Sequence, residues 1–296
     1  MYIQRLLACL VVFLLAVNTA TAQTLSDQDH PLLRGLIAWW IGIPGFTGGD
    51  KIYDAVGRNQ LTLTNMGYTT TSGWSPSLLQ PGRMQLNCDG TNDVALGTTP
   101  DSITDLNQKT ILAWINITGY GGGGYGRIID KRVAGGGGGW AFLVNNTDFA
   151  TGFSFVQGFS TASGDWGLAS VLSTGVWFHV GVKYDKTNVA NVPTFFLNGE
   201  PRALTNTTSS PSGTGSSDSS SAARICDNDA GTRSFAGSIA DVQIFNRLLS
   251  DPEVRSIYQA GRADQDTRFV SQLFLLGMTA VAPDLGIPLR LKKVFE

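Results

Sequence analysis

The sequence predicts an all-β protein: a two-sheet antiparallel jelly-roll sandwich with a short C-terminal helix. Three observations lead there. The 296-residue chain is cut into about a dozen apolar runs of four to eight residues, each bounded by glycine, asparagine or aspartate. Helical periodicity is nearly absent. Charged residues are only 15% and glycine reaches 36 residues, against a usual charged share of about 25%. Many short strands with turn-rich connections and little helix define a sandwich or jelly roll.

The runs follow in order. Residues 36–40 (Leu-Ile-Ala-Trp-Trp) open the series. Residues 60–64 and 84–88 alternate, as a half-buried strand does. Residues 110–117 are strongly β-like, as are 127–130, 140–144, 152–157, 177–184, 194–197 and 238–245. Trp177, Val180, Val182 and Tyr184 carry strand spacing toward a core. His179 falls on the opposite face and is read as structural. Trp39, Trp40 and Trp114 are read as core. Asn198-Gly199 between apolar flanks predicts a type I′ hairpin turn. Ser250-Asp251-Pro252-Glu253 is a capping box leading into Val254, Ile257 and Tyr258, with Gly261 as the stop. Residues 119–126, 135–139 and 205–222 are rich in glycine, serine or threonine and are expected to be mobile rim loops.

Composition excludes one class. With 21 basic and 23 acidic residues the net charge is −2, which leaves no electrostatic footprint for nucleic acid. The acids are nearly all aspartate; the glutamates are Glu200, Glu253 and Glu296. Aspartate suits turns and is also a hard oxygen ligand for calcium.

Residues 1–22 predict a secretory signal peptide: Arg5, an apolar run over 6–17, then Ala20-Thr21-Ala22 before Gln23. Residues 23–30 are a polar lead-in expected to be flexible, 31–262 the domain, and 263–296 a C-terminal extension. The extension's apolar stretch, 269–282, is short for a membrane span. It is read as a docking segment, with membrane anchoring as the alternative. Cleavage would remove Cys9 and leave Cys88 and Cys226 in a disulfide-permissive compartment, where either a bridge or two buried thiols is open.

Seven segments in order resemble the laminin G-like jelly roll of the concanavalin A-like lectin and glucanase superfamily. They are Gly35 to Trp40; Asp54 to Asn59 with Leu61 and Leu63; Leu86 to Val94; Thr110 to Ile115; Gly175 to Asp185; Phe195 to Gly199; and Phe235 to Ser250. Cys88 and Val94 stand where that family usually has phenylalanine and tyrosine. The resemblance implies a cation tying the N-terminal loop to the last strand. Its ligands here would be Asp54, Asn59 and Asp241, with backbone carbonyls near Gly57. Ala240 stands where the family has the first acid of a pair.

The resemblance extends to a superfamily that includes glucanases. Glycosidases need two carboxylates at fixed separation, and no acids pair at strand spacing inside an apolar run. With His30 and His179 the only histidines, a zinc cluster and a histidine-dependent triad both lack support. The chain is therefore expected to be a non-catalytic exported module that binds a glycan or surface protein, or mediates adhesion, with calcium as a candidate stabiliser. The alternatives are a surface-layer, filament or virion assembly protein and, third, a degenerate glycosidase. Sugar rings stack on aromatic faces, and Tyr120, Tyr125, Trp140 and Trp166 lie in or beside the glycine-rich and Ser/Asp-containing loops, so they are the candidate ligand contacts.

Overall fold

The computed structural model describes residues 31–42, 49–57, 59–77, 83–99, 101–133 and 137–262. The predicted signal peptide, lead-in and C-terminal extension lie outside the described residues. The strands begin with β1 (Leu36–Trp40), β2 (Lys51–Ile52), β3 (Leu61–Thr64), β4 (Gly73–Pro76), β5 (Met84–Asp89) and β6 (Val94–Leu96). Next come β7 (Gln108–Ile117), β8 (Arg127–Asp130), β9 (Trp140–Asn145), β10 (Gly152–Gln157), β11 (Gly164–Leu168) and β12 (Trp177–Asp185). The series ends with β13 (Thr194–Leu197), β14 (Glu200–Arg202), β15 (Asn206–Ser209), β16 (Arg224–Ile225), β17 (Ala236–Phe245) and the helix α1 (Asp251–Gly261).

They form two antiparallel sheets. The first runs β14-β13-β12-β7-β17-β5-β4, with β1 added on β17; the second runs β15-β11-β10-β9-β8-β16-β6-β3-β2. The first strand thus meets the last, Trp40 opposite Val242. Alternation explains which residues face inward. In β7, Ile111, Ala113, Ile115 and Ile117 enter the main core, while Leu112 and Trp114 point the other way. In β12, Val180, Val182 and Tyr184 do the same. From the second sheet come Trp140, Phe142 and Val144 of β9, Phe153 and Phe155 of β10, and Trp166 and Leu168 of β11. The sandwich is closed internally by a disulfide between Cys88 of β5 and Cys226 just after β16, one from each sheet.

The hairpin at Asn198-Gly199 has φ of 52° and 78° at its two central residues, as a type I′ turn requires. A side chain at Gly199 would also collide with Tyr258 of α1.

Outside the first sheet a second apolar layer forms. Leu36 and Trp39 of β1, Leu112, Phe196 and Phe245 meet Val254 and Ile257 of α1. The cap of α1 forms as expected: the Glu253 carboxylate accepts the Ser250 backbone N–H at 2.8 Å and the Ser250 hydroxyl at 2.8 Å. It also accepts two Arg247 N–H bonds, at 2.7 and 3.0 Å. Arg247 in turn donates to the carbonyl of Arg34 at 2.7 Å, tying helix to N-terminus. This guanidinium, with the Ser250 donors, holds the Glu253 carboxyl down to about 2. A depressed carboxylate pKa stabilises the fold above the unfolded value, and the gain is lost as pH falls through the folded one. Glu253→Gln should therefore cost about 1 kcal/mol at neutral pH. The gap to the parent protein should close between about pH 4.5 and pH 2 in acid-titrated thermal melts.

The rim segments differ from expectation. Gly122–Gly124 forms a 3-10 turn, and a Cβ at Gly121 would lie 1.9 Å from the Ser234 carbonyl, so this glycine run exists for close packing. The serine-rich segment contains the edge strand β15 and is pinned beyond it. Buried Asp218 accepts the Asp105 N–H at 2.8 Å. The Ser221 carbonyl accepts from Lys131 Nζ at 2.7 Å, and Lys131 also reaches Asp101 at 2.8 Å. Polar residues here are ordered by charge-assisted bonds instead of apolar burial.

Candidate functional site

A pocket of about 40 Å³ opens on the outer face of the first sheet, under the end of α1. Four strands supply its floor. Trp39 of β1, Trp114 of β7, His179 of β12 and Gln243 of β17 all alternate away from the main core. Trp114 and His179 sit directly opposite each other in the ladder, with ring centroids 5.1 Å apart. Tyr258 of α1 stacks on Trp114 at 5.5 Å. Ile257 and Gly261 form the helix-side wall; a Cβ at Gly261 would meet the Trp114 indole nitrogen at 2.5 Å.

The rim is polar. β17 carries a bulge between Ala240 and Gln243, and Asp241 takes a left-handed φ of 50° there. The bulge turns the Asp241 carboxylate toward Arg83, whose Nη1 lies 3.1 Å from both oxygens. Two ring nitrogens of lining residues, Trp39 Nε1 and His179 Nδ1, are buried without a hydrogen-bond partner. Burial pushes His179 down to about 3, so its imidazole is neutral at physiological pH.

The residues proposed for calcium fall beside this pocket and do a different job. Asp54 Oδ1 accepts the backbone N–H groups of Trp39 and Val56, at 2.8 and 2.9 Å. Its Oδ2 accepts Asn59 N and Asn59 Nδ2, at 3.0 and 2.9 Å. Asn59 Oδ1 accepts from Ser102 N at 3.0 Å. Asp54 and Asn59 are thus brought together, but their oxygens already receive N–H donors, and Asp241 is matched to Arg83. Calcium needs six to eight free oxygens, and this donor set does not fit one. Among the described residues no three His, Cys, Asp or Glu side chains gather as a metal site.

The predicted aromatic contacts are corrected in part. Trp140 is 0% and Trp166 1% exposed, both facing the interior, so neither offers a face to a sugar. Trp166 lies 5.3 Å from the Tyr184 ring. Tyr120 is half-buried against the main core. Tyr125 rests on the outer face of the second sheet, on Ala141, Leu143 and Val156, with the Arg233 guanidinium 4.5 Å above its ring. The four do not converge. Trp39, Trp114 and His179, read from sequence as core or structural, are the residues that do. The signal for them was parity: each is out of phase with the core set on its own strand.

Asp165, on the opposite side of the molecule, is pushed up to about 6 by burial. The neighbouring acid, Asp148, is held by Asn145 Nδ2 at 3.1 Å.

Two stacked antiparallel sheets, with the first strand paired to the last, define a jelly-roll sandwich. The family model for the concanavalin A-like lectin/glucanases superfamily, of laminin G type, matches residues 89–255, and the chain belongs to that family. No curated protein matches the chain by sequence. Several solved structures share the fold. The binding domain of a Paraclostridial mosquitocidal protein is 15% identical, with a TM-score of 0.54 over 77% of this chain and 53% of that one. Botulinum neurotoxin type C, whose cell entry depends on two ganglioside molecules, is 13% identical, at 0.52 over 77% and 51%. The binding domain of botulinum neurotoxin DC, solved in complex with SialylT, is 14% identical, at 0.53 over 80% and 53%. The chain spans about half the length of these structures. Among the described residues no helix is long and apolar enough to cross a membrane.

Proposed function

We propose that the chain is an exported, non-catalytic recognition module that binds glycans through the pocket under α1. The observation that carries this reading is the pocket itself. Aromatic walls from Trp39 and Trp114, with His179 beside them, and a polar rim at Arg83, Asp241 and Gln243 meet on one face of the sandwich. Structural neighbours, two of them named binding domains, one of these with SialylT bound, and a third a neurotoxin whose cell entry depends on two ganglioside molecules, support a glycan as the partner class and a role outside catalysis. The signal-like segment 1–22 supports export.

The reading predicts glycan-array binding by the secreted chain that is lost when the pocket is plugged. Ala260 lines the pocket at the helix end and is half-buried, so Ala260→Trp can fill it from the surface. At least tenfold weaker binding is expected, a loss of about 1.4 kcal/mol. Array binding untouched by the plug would move the site elsewhere. Hydrolysis of any β-glucan would overturn the non-catalytic assignment.

A further inference from the structure

We infer that Tyr68 is a second carbohydrate contact, a stacking face for a neutral sugar ring outside the pocket. The inference rests on the glycan reading above and adds a site to it. Tyr68 lies on the turn joining β3 to β4, at the β4 edge of the first sheet. Among the described residues it is the one exposed aromatic side chain, at 54%. Its backbone φ is 50°, a left-handed value that a bulky residue rarely holds. Such strain persists only where the surroundings impose it, and it gathers at binding sites.

The surroundings impose it here. Met66 anchors one end of the turn in the main core. Buried Ser72 fixes the other: its hydroxyl accepts the Gly67 N–H at 2.6 Å and its carbonyl the Thr69 N–H at 2.8 Å. Asn87 Nδ2 donates to the Thr70 carbonyl at 3.3 Å. The ring is then held at two points. Its hydroxyl donates to the Gly49 carbonyl at 3.0 Å, and one edge rests on Gly73, where a Cβ would lie 3.0 Å from Tyr68 Cδ1. A ring exposed to water but already fixed in place loses little entropy when a ligand covers it.

The chemistry around the ring favours a sugar over a protein surface. The other exposed large apolar side chains, Leu96, Val176, Val192 and Leu248, sit on four other segments, so Tyr68 is not part of the contiguous apolar patch that a protein partner covers. Its neighbours on the turn are hydroxyls: Thr69 and Thr71 are both exposed, with their Oγ1 atoms 3.3 Å apart. Lys51, near Gly49, is engaged by Thr62 at 2.8 Å and Asp50 at 3.7 Å, so an acidic sugar gains no cation there. A bare ring face flanked by hydroxyls matches the C–H face and hydroxyl edge of a neutral sugar.

The test is titration of the secreted chain with neutral tetrasaccharides of glucose, galactose and mannose, set against a tetrasaccharide of uronic acids. A neutral probe should bind, and the acidic one more weakly. Tyr68→Leu keeps an apolar side chain and removes the ring face, so it should weaken the neutral probe about tenfold. Tyr68→Phe keeps the face and gives up the bond to Gly49, so it should stay within about threefold of the parent. In the parent protein with ring-labelled tyrosine, the Tyr68 resonance, assigned by its loss in Tyr68→Phe, should shift as the probe saturates. That measurement stands even if Tyr68→Leu folds poorly. A Tyr68 resonance unmoved at saturation, or an unchanged affinity in folded Tyr68→Leu, overturns the second contact and leaves the pocket reading intact. An acidic probe bound as tightly as the neutral ones overturns the neutral assignment. No binding to any probe or to a glycan array removes both readings.

Discussion

Replacing Cys88 and Cys226 together by alanine should lower the melting midpoint by about 10 °C. The bridge spans 138 residues of chain, so it closes a very long loop in the unfolded state. In the chain-entropy account a loop of that length is worth about 5 kcal/mol, and measured native bridges give about 2–5. At roughly 2–4 °C per kcal/mol for a domain of this size, a loss near 4 kcal/mol gives the stated shift. The position adds to the argument. Cys88 is 2% and Cys226 0% exposed, and they join opposite sheets within the main core. Removing the two sulfurs leaves a void between layers that are otherwise joined mainly by apolar contact, together with the buried Lys109–Gln157 hydrogen bond at 3.0 Å. Calorimetry of the double variant, with reduced parent protein as a second sample, checks this. A midpoint within about 2 °C of the parent would show that the sheets need no staple.

What the sequence made legible, and what it hid, divides along physical lines. Strands with one apolar face and one marked turn were legible. Val180, Val182 and Tyr184 face the core as expected, whereas Trp177, also expected there, is out of phase with them and only half-buried; the hairpin at Asn198-Gly199 can only turn one way. Short strands without apolar runs were not legible: β11 reads Gly-Asp-Trp-Gly-Leu and β15 Asn-Thr-Thr-Ser, and both exist because neighbours pair with them. Trp140 was misplaced because β9 is apolar on both faces, so alternation could not say which side was the core. A tryptophan beside a glycine run looks exposed, yet glycine here permits close backbone approach. The pocket was hidden for a different reason. Trp39, Trp114 and His179 come from strands far apart in sequence, and only the ladder order β1-β17-β7-β12 puts them on one face, Trp114 beside His179 and Trp39 opposite Gln243.

Asp54→Ala should cost about 3–5 kcal/mol, and the cost should be the same with or without a calcium chelator. Asp54 is 3% exposed and accepts four N–H bonds, from Trp39, Val56 and twice from Asn59. Truncation leaves those donors without their acceptor in a buried place. One such orphan costs about 1–3 kcal/mol, and water entering the space offsets some of the sum. If Asp54 were instead a calcium ligand, chelation would drop the parent midpoint toward that of the variant, since a bound ion stabilises only the fold that binds it. The hydrogen-bond geometry requires parallel melting curves: the parent unmoved by chelator, the variant lower by about 10 °C in both conditions. Asp54→Asn should fall between, because it keeps one acceptor oxygen but points an NH₂ at an N–H donor. The consequence reaches the pocket. Asp54 holds the backbone of Trp39, a residue that lines the pocket. A folded Asp54→Asn protein should therefore bind glycan more weakly although Asp54 is not among the pocket's lining residues. Weakened stability with unchanged affinity would separate the frame from the site.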